Sequence, residues 1–160
     1  MTDQPRHTLV EFGDFECPNC MQAYPVVRHL LANHADCLTF SYRHYPLREV
    51  HPHAQAAAEL AESARAQGRF EDFQYLVFTR SGHLTQDLLF DFGARLGLDV
   101  PRMRDELARH AYLARVEQDV ADARAAGLRG TPGFLLDGRY VDVSFGLERL
   151  EAAVETALHP

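Results

Sequence analysis

Val10-Glu11-Phe12-Gly13-Asp14-Phe15-Glu16-Cys17-Pro18-Asn19-Cys20 is the stretch on which the fold turns. Thr8 to Phe12 is a short β-type run, Gly13-Asp14 breaks it, and two cysteines follow with two residues between them. Beyond them Met21, Tyr24, Val27, Leu30 and Leu31 recur at helical spacing up to about Asn33. The pattern predicts strand, loop, helix, with Cys17 at the helix N-terminus. Pro18 then falls in the first turn, where its missing N–H needs no partner.

Working outward, Leu38 to Tyr42 predicts a second strand, and Arg43 to His53 an irregular connection with two prolines. An Ala-rich helix from about His53 to Gln67 stops at Gly68. Phe70, Phe73, Leu76 and Val77 mark another helical face. Leu88, Leu89, Phe92 and Leu96 mark a third, with Thr85 as N-cap and Gly97 as stop. Met103, Leu107, Leu113, Val116 and Val120 extend the helical region to Gly127. The period then changes: Phe134 to Leu136 and Arg139 to Val143 flank Asp137-Gly138, a strong hairpin signal. Leu147, Leu150, Val154 and Leu158 line one face of a closing helix from about Gly146.

The 160 residues suit one domain with a sizeable core, spanning 1–160, with the helices of about 51–127 inserted within it. No repeat or Gly/Ser/Pro-rich linker divides the chain. At 46% hydrophobic and 24% charged, the composition is that of a folded protein. The net charge of −7, with every cation an Arg, argues against nucleic acid or an anionic membrane as main partner. No segment approaches the ~20 apolar residues of a membrane helix. Met1 to His7 lacks the basic and apolar runs of a secretory signal. The expected location is therefore cytoplasmic, although a processed exported form with a new Met would read the same.

Three cysteines cannot all pair, and in a reducing compartment such residues are more often catalytic or metal-binding than structural. Disulfide exchange needs a thiolate, which a free thiol of pKa near ~8.5 supplies poorly at neutral pH. A helix N-terminus stabilises the anion at Cys17 by up to roughly 2 kcal/mol. Exposed charges at Asp14 and Glu16 would oppose it by only about 0.5 kcal/mol each. The expected Cys17 pKa is roughly 5–7. Cys17 attacks, and Cys20, one turn on, resolves the mixed disulfide. Asn19 between them offers a hydrogen bond but no cationic help.

The spacing alone also supplies half of many zinc sites. Context favours redox chemistry: the pair opens an amphipathic helix after an apolar strand, and Gly130-Thr131-Pro132-Gly133 precedes the hairpin.

Taken together, these features resemble the DsbA-like thiol:disulfide oxidoreductases of the thioredoxin superfamily. Tyr42-Arg43-His44-Tyr45-Pro46-Leu47 and His51-Pro52-His53-Ala54 add to the similarity, which spans nearly the whole chain. The resemblance implies an α/β thioredoxin fold with a central mixed sheet and an inserted helical subdomain. It implies that Thr131-Pro132 is the cis-proline loop that presents backbone groups to a bound peptide. It also implies that Glu11, six residues before Cys17, is a buried acid that exchanges a proton with Cys20, and that Pro18 and Asn19, between the cysteines, tune the potential. The expected activity is reversible disulfide exchange with protein or peptide thiols, a low-molecular-weight thiol or a redox partner protein, requiring no cofactor. The direction stays open, since such oxidants usually work outside the cytoplasm and a reducing cytosol favours a reductase.

The rival reading is a zinc-binding or redox-responsive module using Cys17, Cys20, Cys37 and His44 or a neighbour. Against it, Cys37 reads as a buried core thiol, and His44, His51 and His53 as residues that cap and shape the following helix. A glutathione-conjugating enzyme of related fold is disfavoured because it would not need Cys20.

Overall fold

The computed structural model describes residues 6–160; Met1 to Pro5, most of the segment read for a leader, lie outside the described residues. Strand β1 (His7–Gly13) leads into helix α1 (Pro18–Asn33) and strand β2 (Leu38–His44). Five helices follow: α2 (Ala54–Ala66), α3 (Phe70–Arg80), α4 (Gln86–Arg95), α5 (Val100–Ala108) and α6 (Leu113–Ala125). Strands β3 (Gly133–Leu136) and β4 (Arg139–Val141) and helix α7 (Glu148–Leu158) complete the chain.

The sheet order is β2-β1-β3-β4, with β1 parallel to β2 and antiparallel to β3. The architecture is thus the mixed α/β thioredoxin fold. The β3–β4 hairpin turns through Asp137 and Gly138, both at positive φ, as a two-residue turn demands. Asp137 is held there: its carboxylate accepts from Thr8 N at 2.8 Å and pairs with His7 at 2.6 Å. The sequence pattern overran the hairpin by two residues, because β4 ends at Val141.

Side chains alternate across β1. Leu9 packs with Ala23, Val27 and Leu30 of α1 and with Leu150 and Val154 of α7. Phe12 faces the other way, into a cluster with Tyr45, Ala123 and Leu128. Each large apolar side chain so buried contributes about 1.5–3 kcal/mol. The third cluster fills the space between α1, β2 and the inserted helices, and contains Phe15, Tyr42, Phe73, Leu89 and Phe92 beside both Cys17 and Cys20. On the far side of the sheet, Arg43 of β2 reaches Asp119 at 2.8 Å and Asp122 on α6, and its guanidinium lies over Phe12.

Thr85 caps α4 as its sequence predicts, accepting from Leu88 N. The helical pattern of 103–127, by contrast, is broken between α5 and α6. His110 takes φ 51°, and its ring pairs with buried Glu59 of α2 at 3.0 Å, a tertiary contact that periodicity cannot show.

Candidate active site

Cys17 is the N-cap of α1 and Pro18 occupies the first helical position. Because a cap residue precedes the hydrogen-bonded turns, the N–H groups of Asn19 and Cys20 lie beside the Cys17 sulfur, the second of them also donating to Cys17 O at 3.1 Å. The thiol is 5% exposed, and Cys20, on the inward face of the helix, is fully buried. Both thiols are free.

The two sulfurs are driven in opposite directions. The Cys17 pKa falls to about 5: the Cys20 thiol donates to its sulfur, and Thr131 and the backbone N–H groups of Cys20 and Asn19 add to that against the cost of burial. Thr131 Oγ1 is buried and has no hydrogen-bond partner. When Cys17 is a thiol, it donates instead to Thr131 O at 3.6 Å. Cys20 is pushed far above the ordinary thiol value by burial, by its hydrogen bond to Cys17 and by the charges of Cys17 and Glu11.

Glu11 is 3% exposed, on the face of β1 covered by α1. Burial, and then the Cys17 charge, raise its carboxyl to about 8. Its Oε1 has no hydrogen-bond partner. The Thr131–Pro132 bond is cis. This loop and the β4–α7 connection border an open groove of about 730 Å³ that reaches Asn19 and Gln22 beside the cysteine pair.

Asp14 and Glu16 do not stand as exposed charges against the thiolate. Asp14 is 1% exposed; its Oδ1 accepts from Glu16 N at 2.7 Å, and its Oδ2 accepts from Leu47 N at 2.8 Å and meets His51 Nδ1 at 2.7 Å. Glu16 accepts from His53 N. These carboxylates are committed to stitching the nucleophile loop to the β2–α2 connection.

The histidines also serve differently from the expected caps. His53 sits at the N-cap of α2 without a side-chain cap bond, His51 holds Asp14, and buried His44 bonds Glu62 at 2.7 Å. Among the described residues no three His, Cys, Asp or Glu side chains converge as a metal site. Cys37 lies beyond the far end of α1, roughly 24 Å along the helix from Cys17, with its sulfur 3.7 Å from His34 O. Sequence reasoning passed over Tyr42, whose buried hydroxyl has no partner. Its only signal was a phenol at the strand position opposite Glu11.

The thioredoxin family model matches residues 3–156, and the chain belongs to that family. DsbA from Xylella fastidiosa shares its fold at TM-score 0.77 and 21% identity, covering 96% of this chain and 84% of that one. A thioredoxin-like oxidoreductase from Silicibacter pomeroyi is 28% identical, with TM-score 0.83 over 96% of this chain and 87% of that one. BdbD from Bacillus subtilis shares the fold at TM-score 0.83, covering 100% of this chain and 91% of that one, at 19% identity.

Among curated proteins, a Na(+)/H(+) antiporter NhaA 1 from Salinispora arenicola is 43% identical over 150 residues, 94% of this chain. A Na(+)/H(+) antiporter NhaA from Herminiimonas arsenicoxydans is 39% identical over the same length. The chain spans about a quarter of the length of these relatives, 23% and 24%. Among the described residues no helix is long and apolar enough to cross a membrane.

Proposed function

We propose that the chain is a protein thiol:disulfide oxidoreductase whose reactive centre is Cys17 and Cys20. The observation that carries this reading is the placement of Cys17, a helix N-cap at the surface end of the pair and against Thr131, with Cys20 buried behind it. Such an arrangement separates the roles: one sulfur is ionised and reachable, the other protonated and sheltered.

In the oxidising direction, a substrate thiolate attacks Cys17 Sγ of the Cys17–Cys20 disulfide. The disulfide breaks and Cys20 leaves as a thiolate. Glu11, whose carboxyl burial holds well above the ordinary carboxylate range, gives Cys20 the proton. A second substrate thiolate then attacks the substrate sulfur of the mixed disulfide. Cys17 departs as a stable thiolate, leaving substrate oxidised by two electrons and the pair reduced. Run backwards, Glu11 takes the Cys20 proton and Cys20 attacks Cys17.

Peptide substrates would lie in the groove beside Thr131 and Pro132, whose backbone edges it. Pro18 and Asn19 add no charge beside the sulfur, so the backbone N–H groups and Thr131 tune the pair. The low pKa of Cys17 stabilises the reduced form and favours the oxidising direction.

Insulin reduction with a dithiol donor tests the activity: Cys17→Ser should abolish it. Cys20→Ser should retain attack and accumulate a mixed disulfide at Cys17, visible by mass. Activity unchanged in Cys17→Ser would remove the proposal.

A further inference from the structure

Among the polar atoms beside the cysteine pair that are buried without partners are Glu11 Oε1 and Tyr42 Oη. Folded proteins rarely leave such atoms unsatisfied, because each costs a lost hydrogen bond to water. These two belong to residues paired across the central strands. Glu11 of β1 and Tyr42 of β2 are Cα partners in the parallel register, so their side chains rise from the same face of the sheet.

That face lies beneath Cys20, in the cluster where Tyr42 packs with Phe15, Cys17 and Cys20. The Tyr42 ring is clasped by Phe15 at 5.5 Å, His44 at 5.7 Å and Phe70 at 6.0 Å between centroids, which fixes the direction of its hydroxyl. The hydroxyl lies over Gly13, two residues along β1 from Glu11 and on the same face. A Cβ there would collide with both hydroxyl and ring. A phenylalanine would pack in this apolar setting without a polar atom to satisfy, so the retained hydroxyl needs another reason.

We propose that Tyr42 is a positioning residue for the exchange reaction: its hydroxyl donates a hydrogen bond to the Glu11 carboxylate when Glu11 is ionised, aiming that carboxylate at Cys20. The terminal carboxyl torsion of Glu is broad, so this bond forms by rotation without moving the strands. The inference rests on the assignment of Glu11 as the proton partner of Cys20. Donation to the charged form lowers the carboxyl pKa, and it would act against the burial and the Cys17 charge that raise it. The hydroxyl is held as a donor by its own burial, which carries its pKa well above the ordinary phenol value. The proton moved in the reaction passes only between Cys20 and Glu11, and Tyr42 keeps its own.

Tyr42→Phe removes one oxygen and leaves the ring, and is compared with wild type and Glu11→Gln. Two measurements decide the matter: the titration of the Glu11 carboxyl by carbon NMR, and the pH profile of disulfide opening by a peptide thiol. The second is followed by acid quench and mass, and corrected for the ionised fraction of the peptide. Without the Tyr42 bond the carboxyl titrates near 8, set by burial and the Cys17 charge; the wild-type NMR step of the reduced chain should fall about one unit below it, and the kinetic step, read on an oxidised chain that lacks the Cys17 charge, lower again. Tyr42→Phe should move both steps up by about one pH unit, the loss of one donor to a charged acceptor. In Glu11→Gln the kinetic step should vanish. A Tyr42→Phe chain whose two steps coincide with wild type overturns the role of Tyr42. A kinetic step that survives in Glu11→Gln overturns the assignment of Glu11 itself, whatever Tyr42→Phe does.

Discussion

Acidification should reveal how much of the oxidising power of the pair resides in one sulfur. With a Cys17 pKa of about 5, the reduced form at pH 7 is stabilised by about 2 pH units of ionisation, or about 2.7 kcal/mol. Thioredoxin, with a pKa near ~7 and a potential of about −270 mV, gains only ~0.3 unit in the same way. The difference of ~1.7 units, at about 30 mV per unit for two electrons, puts this pair near −220 mV. Above pH 5 reduction takes up one proton, and the potential should fall by about 30 mV per pH unit. Below pH 5 it takes up two, and the slope should steepen to about 59 mV. Equilibration with glutathione buffers from pH 4 to 8, with acid quench and alkylation, measures both quantities. A potential at or below −270 mV at pH 7, or a slope of 59 mV unbroken to pH 8, would refute the assignment of a stabilised thiolate to Cys17.

Other consequences concern stability. His51 has its pKa raised, because the hydrogen bond and charge of Asp14 outweigh the burial that opposes its own charge. A raised histidine stabilises the fold fully below its unfolded value of about 6.5 and loses that contribution as pH climbs through the folded value. Urea midpoints should therefore drop between pH 6 and 8, and His51→Ala should flatten that drop. Glu62 behaves oppositely: burial opposes its charge, but His44 and Arg65 prevail and bring its pKa down to about 2. Its contribution is present above about pH 4.5 and disappears as pH falls towards 2, so acid melts should steepen over that range in wild type. His44→Ala should cost about 2–3 kcal/mol at pH 7 in chemical denaturation, with Arg65 left to hold the carboxylate. Gly13→Ala should cost about 1–3 kcal/mol, since the Tyr42 ring blocks the added methyl; an unchanged melt would show that Tyr42 moves freely.

What could be read in advance was whatever depends on neighbours in sequence. The strand–loop–helix around Cys17 is legible because its periodicity changes within a few residues, and the hairpin because Asp137-Gly138 matches a turn needing two positive φ angles. Thr85 announced its cap for the same reason. Glu11 was reached through resemblance, and only its burial and missing partner give it physical content. Asp14 was misread as an exposed charge because the groups that occupy it, Leu47 N and His51, arrive from more than thirty residues away. Likewise His110, at the break between α5 and α6, answers to Glu59, 51 residues earlier in the chain. Partners set by the packing of separate elements leave no periodic trace.

The clamp formed by Arg43 on the back of the sheet bears on the front. The loop that carries Thr131 hangs between α6 and β3, and each end has its own mooring. β3 is bonded into the sheet beside β1, and α6 is drawn against β2 by the Arg43 contacts with Asp119 and Asp122. Leu128, just past α6, is wedged beneath Phe12 and Tyr45. The span left to move is therefore only a few residues long and begins and ends on the same rigid frame as Cys17. The clearance between sulfur and loop is set like the gap of a calliper, by a fastening on the opposite side of the protein.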